Sequence, residues 1–119
     1  MKQNTAIITG ASEGIGAALT KLLIQHEWKV IGLSRNLEKL KLLQKNLGEK
    51  KDSLRIYACD VQDFSKLKSI AQKNNSADLL FLNAGIYTPI DASKNNIKDY
   101  KQHMLINYMG IVNSYLAFL

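Results

Sequence analysis

Three glycines offer the first chemistry in this chain. The run Thr9-Gly10-Ala11-Ser12-Glu13-Gly14-Ile15-Gly16 lies between a short apolar segment and an amphipathic one. If those are a strand and a helix, the loop between them presents unpaired helix N–H groups and the positive end of a helix dipole, which attract phosphate. Gly10 then permits the tight turn off the strand. Gly14 lets a pyrophosphate approach the backbone, and Gly16 lets the helix pack close to the sheet. Ser12 adds a hydroxyl donor, and Ile15 belongs to the same loop. The plain alternative is a strand–helix turn that happens to hold three glycines; the flanking strand and helix patterns argue against it.

A second position bears on the kind of phosphate. About 20 residues past such a loop, a site for NAD offers Asp or Glu to the ribose 2′-hydroxyl. Here that place holds Leu33-Ser34-Arg35-Asn36, with no carboxylate. Arg35 is a planar, permanently charged fork that matches a 2′-phosphate, so NADP is favoured over NAD. The alternative is an exposed arginine entering a helix. Two short motifs fall where later strands would end. Cys59-Asp60-Val61 holds a carboxylate that is either a ligand group or a turn and cap residue beside Asp63. In Asn83-Ala84-Gly85 the asparagine can bond neighbouring main chain and the small residues admit a ribose, unless this is a generic turn. Asn107, within Ile106-Asn107-Tyr108-Met109-Gly110, is a mildly unfavourable mid-helix residue, or an exposed polar one.

The elements that must position these groups alternate in period. Strand-like apolar runs are read at Thr5–Thr9, Trp28–Leu33, Leu54–Ala58 and Leu79–Leu82. Between them lie helical stripes. Ile15, Ala18, Leu19, Leu22 and Leu23 form the first. Leu37, Leu40, Leu43 and Leu47 form the second, with Asn36 as its cap and Gly48 as its stop. Phe64, Leu67, Ile70 and Ala71 form the third, capped by Asp63. After a loop containing Pro89, one long helix is expected from about Asn96 to the last residue, striped by Ile97, Tyr100, Met104, Tyr108, Ile111, Tyr115 and Leu119. The alternation implies an α/β fold: a doubly wound parallel sheet with helices on both faces.

The loop spacing is Gly-x-x-x-Gly-x-Gly, and in this form the chain resembles the classical short-chain dehydrogenases/reductases. Later motifs follow in the family's order over the whole chain. The resemblance implies a Rossmann-type sheet of strand order about 3-2-1-4, in a single NAD(P)-binding domain over residues 1–119 that is incomplete at its C-terminus. It implies that Asp60 bonds the adenine amino group, that Val61 lines the adenine pocket, and that Asn83, Ala84 and Gly85 border a ribose. Ser34 stands where an NAD-type member carries Asp, and a basic residue such as Arg35 implies NADP. Glu13 departs from the pattern, because NADP-preferring relatives often carry Lys or Arg there. Asn107 would be the first of a catalytic Asn/Ser/Tyr/Lys set. The remaining members, a Ser and a Tyr-x-x-x-Lys, are not matched: four residues after Tyr57, Tyr87, Tyr100, Tyr108 and Tyr115 stand Val61, Asp91, Met104, Val112 and Leu119. The expectation is the N-terminal part of an NADP(H)-dependent oxidoreductase of a carbonyl or alcohol substrate, inactive alone. The alternative is a stand-alone dinucleotide-binding or interaction module. The fourth strand and final helix, lacking neighbours, are expected to drive self-association, as the family's helices build its dimer interface.

Composition excludes other classes. In 119 residues, 46% are apolar, Pro occurs once and Gly seven times, which suits a small globular chain. Apolar runs fall short of a membrane span, and no signal peptide is read at Met1-Lys2-Gln3-Asn4, so no membrane partner is expected and the cytoplasm is the default location. The net charge of +6 comes from lysines scattered over helix faces, with no aromatic interleaving to mark a nucleic-acid platform. Cys59 is the only cysteine and reads as a small core residue. His26 and His103 read as surface residues, and no cluster has metal-ligand spacing.

Overall fold

The computed structural model describes residues 2–74, 76–87, 89, 91, 93–94 and 96–119. Its elements are β1 (Thr5–Thr9), α1 (Gly14–Gln25), β2 (Lys29–Ser34), α2 (Leu37–Asn46), a 3₁₀ turn (Gly48–Ser53), β3 (Leu54–Ala58), α3 (Phe64–Lys73), β4 (Leu79–Leu82), α4 (Ile97–His103), a π-helical segment (Met104–Tyr108) and α5 (Met109–Phe118). The strands pair in the order β3-β2-β1-β4, every pair parallel. Ile7 sits opposite Ile31 on one side and Leu80 on the other, which fixes the register at the centre of the sheet.

Side chains alternate along each strand, so successive residues feed two separate cores. Ala6, Ile8 and Val30 point to the face covered by α1 and α2, where they meet Ile24, Leu40 and Leu43. Ile7, Ile31 and Leu33 point to the other face, against Leu67 and Ile70 of α3 and Ala117 of α5. Each fully buried Leu or Ile contributes about 1.5–3 kcal/mol. The helix ends follow the capping residues. Asn36 Oδ1 accepts from the Lys39 amide at 3.0 Å, and Asp63 Oδ1 accepts from the Lys66 amide at 3.0 Å. Gly48, at φ +58°, turns the chain out of α2. At the bottom of the sheet Asp78 accepts from the Thr5 amide at 2.9 Å and pairs with Lys2 at 3.3 Å. The Thr5 amide and then Lys2 hold its carboxyl below the usual range.

Helix faces differ from the periodic stripes in two places. In α1 the buried residues are Gly16, Thr20 and Ile24; of the expected stripe Ile15, Ala18 and Leu22 are exposed, and only Leu19 and Leu23 lean on the core. The small residues set this face: a Cβ on Gly16 would run into the Gly10 carbonyl, so the helix touches the loop with its narrowest side. The expected single C-terminal helix is instead α4 and α5 joined by the π segment. Its large apolar stripe, Ile97, Tyr100, Met104, Tyr108, Ile111, Tyr115 and Leu119, faces outward. The inward line is Ile106, Gly110, Ser114 and Ala117. Small residues let the helix close on Val61, and a Cβ on Gly110 would lie 2.5 Å from Val61 Cγ2.

Lesser differences follow the same logic. β2 starts at Lys29, because the Trp28 amide closes the preceding turn on Leu23 at 3.0 Å. Phe64 stays exposed. His26 is exposed, but His103 is half-buried, with Nδ1 2.7 Å from the Asp99 carbonyl. Among the described residues no helix is long and apolar enough to cross a membrane.

Candidate functional site

In an open parallel sheet, all strands deliver their C-terminal ends to one edge, and here the loops after β1, β2, β3 and β4 enclose a cleft at that edge. Gly10 borders it from the first strand, Leu33, Ser34 and Arg35 from the second, Cys59, Asp60 and Val61 from the third, Ala84, Gly85 and Ile86 from the fourth, and Ile106 from the π segment. Seven residues singled out by sequence therefore line one cleft: Gly10, Ser34, Arg35, Asp60, Val61, Ala84 and Gly85.

The glycine loop is held from below. Thr9 Oγ1 accepts from the amides of both Asn83 and Ala84 at 3.0 Å, and Asn83 Nδ2 donates to the Gly10 carbonyl at 3.2 Å. Gly10 has φ +68°, and a Cβ there would press on the Ala84 backbone at 3.0 Å. Gly16 is buried against the Gly10 carbonyl. Gly14 is the opposite case. It has φ +59°, and no atom lies within 4 Å of the place a Cβ would take, so the backbone at the start of α1 is open to an approaching group. Glu13, the residue before α1, makes no side-chain cap, which leaves the helix amides uncapped. Ile15 stands 70% exposed beside them. Open amides, a positive dipole end and no intervening side chain are the fit a pyrophosphate needs.

At the end of β2 the hydroxyls of Ser12 and Ser34 lie 2.7 Å apart, and Ser34 Oγ accepts from the Asn36 amide at 3.1 Å. The Ala11 amide donates to the Leu33 carbonyl at 3.1 Å, so loop and strand are fastened twice. Arg35 is exposed, and among the described residues it has neither a carboxylate partner nor a hydrogen bond. A free guanidinium at the lip of a cleft is suited to a dianionic phosphate. Glu13 is paired with Lys39 of α2 at 2.6 Å, and that bond, with the charge of Lys39, holds the Glu13 carboxyl below its usual range.

At the end of β3, Asp60 Oδ1 accepts from the Gln62 amide at 2.9 Å in a local turn while the residue borders the cleft. Turn residue and cleft residue are thus the same group. Burial, followed by the nearby Asp63, pushes the Cys59 thiol up to about 11, so it is a neutral core thiol at ordinary pH. Asn113 of α5 donates through Nδ2 to the Val61 carbonyl at 3.0 Å and fixes this loop against the helix.

Asn107 reaches the cleft only indirectly. Its Oδ1 accepts from the Ile86 amide at 2.7 Å and its Nδ2 donates to the Ile86 carbonyl at 2.8 Å, so the amide side chain pairs with one backbone unit as a strand would. Gly85 leaves the room, since a Cβ there would sit 3.2 Å from Asn107 Oδ1. Sequence reasoning missed three participants: Thr9 as the acceptor under the loop, Asn113, and Lys39. The first two were legible only as polar residues at a strand end and inside an apolar helix.

The family model for short chain dehydrogenase matches residues 4–119, and the chain belongs to that family. It is 36% identical over 113 residues to farnesol dehydrogenase of Aedes aegypti, covering 90% of this chain and 46% of that protein. It is 33% identical over 117 residues to a probable NADP-dependent dehydrogenase of Haemophilus influenzae, covering 94% of this chain and 45% of the relative. Among solved structures, serine dehydrogenase from Escherichia coli superposes with a TM-score of 0.86 at 28% identity, over 96% of this chain and 54% of the other. The closed form of serine dehydrogenase complexed with NADP+ gives 0.87 at 28% identity, over 97% and 47%. The chain spans about half the length of the curated relatives it matches.

Proposed function

We propose that this chain supplies the NADP(H)-binding part of a short-chain oxidoreductase that interconverts a carbonyl and an alcohol. One observation carries the reading. The end of β2 offers Ser34 and an unpaired Arg35 to a cleft whose other walls are Gly10, Asp60 and Ala84. No carboxylate stands there to hold a free ribose 2′-hydroxyl, and the guanidinium favours a 2′-phosphate. The open amides around Gly14 and Gly16, with Ser12 and Ile15, would hold the pyrophosphate. Asp60 and Val61 would border the adenine, and Asn83, Ala84 and Gly85 a ribose. The nicotinamide supplies or takes the hydride when bound.

Asn107 is proposed as a positioning residue. Both ends of its amide are engaged by Ile86, so it acts by setting that loop and the π turn rather than by donating to substrate. None of the five tyrosines is followed four residues later by Lys. Proton transfer to the substrate oxygen is therefore assigned to a Ser and a Tyr-x-x-x-Lys outside these 119 residues, and the chain alone is expected to bind cofactor without turnover.

The outward stripe of α4 and α5 is proposed to pair copies of the protein, and sedimentation that stays monomeric at high concentration would contradict this. Cofactor choice has a direct test. Titration of the purified protein, followed by nucleotide fluorescence, is expected to give tighter binding of NADPH than of NADH. Arg35→Ala is expected to weaken NADPH roughly tenfold, the loss of one charged hydrogen-bonding partner, with NADH little changed. Equal affinity for both nucleotides, unaltered by the substitution, would refute the assignment.

A further inference from the structure

Lys39 rises from the first turn of α2 to meet Glu13 of the glycine loop, Nζ to Oε2 at 2.6 Å. The side chains are 50% and 71% exposed, and a solvated ion pair of this kind adds little to stability. The loop does not depend on it for its place. The Ala11 amide and the Ser12–Ser34 hydroxyl contact already fasten the loop to the end of β2. Lys39 is also four residues beyond Arg35, on the far side of the Asn36 cap, and its backbone amide is the one that Asn36 holds. The residue is thus anchored at its root, and its half-exposed ammonium meets the residue next to Ser12, whose hydroxyl touches Ser34 of the cleft wall.

We infer that Lys39 is a second cation for the cofactor's 2′-phosphate, and that Glu13 occupies it until the phosphate arrives. This rests on the NADP(H) reading above. A phosphate monoester carries more charge than a carboxylate and outcompetes it for an ammonium. A nucleotide with a bare ribose hydroxyl has no such charge and leaves the Glu13–Lys39 pair closed. The pair therefore acts as a selectivity filter made from a glycine-loop acid and an α2 base.

The test separates contact from mere neutralisation. Dissociation constants for NADPH and NADH are measured for the wild type, Glu13→Gln, Lys39→Gln, the double variant and Arg35→Ala. Glu13→Gln is expected to tighten NADPH and leave NADH unchanged. The decisive comparison is Lys39→Gln in the Glu13→Gln background, where no acid remains to be neutralised. A weakening of NADPH by roughly fivefold there, with NADH unmoved and recovery in Lys39→Arg, is the expected result. No effect of Lys39→Gln in that background overturns the inference while Arg35→Ala still weakens NADPH. If Arg35→Ala is silent as well, the NADP(H) reading itself has failed, and this inference with it.

Discussion

Gly10, Gly14 and Gly16 have three different reasons to be glycine. Gly10 has a left-handed φ and a neighbour pressing on its Cβ position. Gly14 has the φ but open space, and Gly16 has the space removed by the Gly10 carbonyl. Gly16→Ala therefore forces α1 off the loop, while leaving the exposed groups of the cleft chemically intact. Overpacking of this kind costs about 1–3 kcal/mol. A lowered urea midpoint together with weaker nucleotide binding is the expected outcome; an alanine variant with unchanged midpoint and affinity would show that the close approach is not needed. The pairing of Thr9 with Asn83 and Ala84 belongs to the same scale. It joins β1 to the loop after β4 through one hydroxyl, at the root of the glycine loop.

Among the elements, the π segment is the part most directly tied to the site. It turns Asn107 back onto Ile86, beside Gly85, and brings Ile106 to the cleft wall. π turns of one segment inside a helix recur at functional sites. Asn107→Ala removes two exposed hydrogen bonds, for a loss of about 1 kcal/mol. Thermal unfolding should shift downward and the Ile86 amide should lose protection in hydrogen exchange. If Ile86 exchanges as before, Asn107 is not what holds the loop. The strands and the first three helices were legible in the sequence because apolar runs, Asn36, Asp63 and Gly48 punctuate them. The cleft residues were legible for a different reason: turn residues collect where parallel strands end. What was not legible was orientation. Periodicity weights large apolar side chains, yet the buried faces of α1 and α5 carry Gly16, Thr20, Gly110 and Ser114. The π segment left no mark either, since Met104 to Tyr108 reads as ordinary helix.

Seen whole, the molecule has a well-packed centre and two thin margins. β1 and β2 are covered on both faces, whereas β4 is a half-exposed edge strand and α4 and α5 turn large apolar side chains outward. Exposed apolar surface of this kind is the observation behind the proposed pairing of copies. The cleft lies elsewhere, bordered by Arg35 and Gly10, so the proposed nucleotide site and the proposed pairing face are different surfaces. That separation leads to one experiment. Backbone amide chemical shifts are recorded while NADPH is added to the isotope-labelled protein. Perturbation is expected to concentrate at Gly10–Gly16, Ser34–Arg35, Asp60–Val61 and Asn83–Gly85, with the outward residues of α4 and α5 unmoved. Shifts confined to that outward helical face, or no shifts at saturating NADPH, would contradict the assignment of the cleft as the cofactor site.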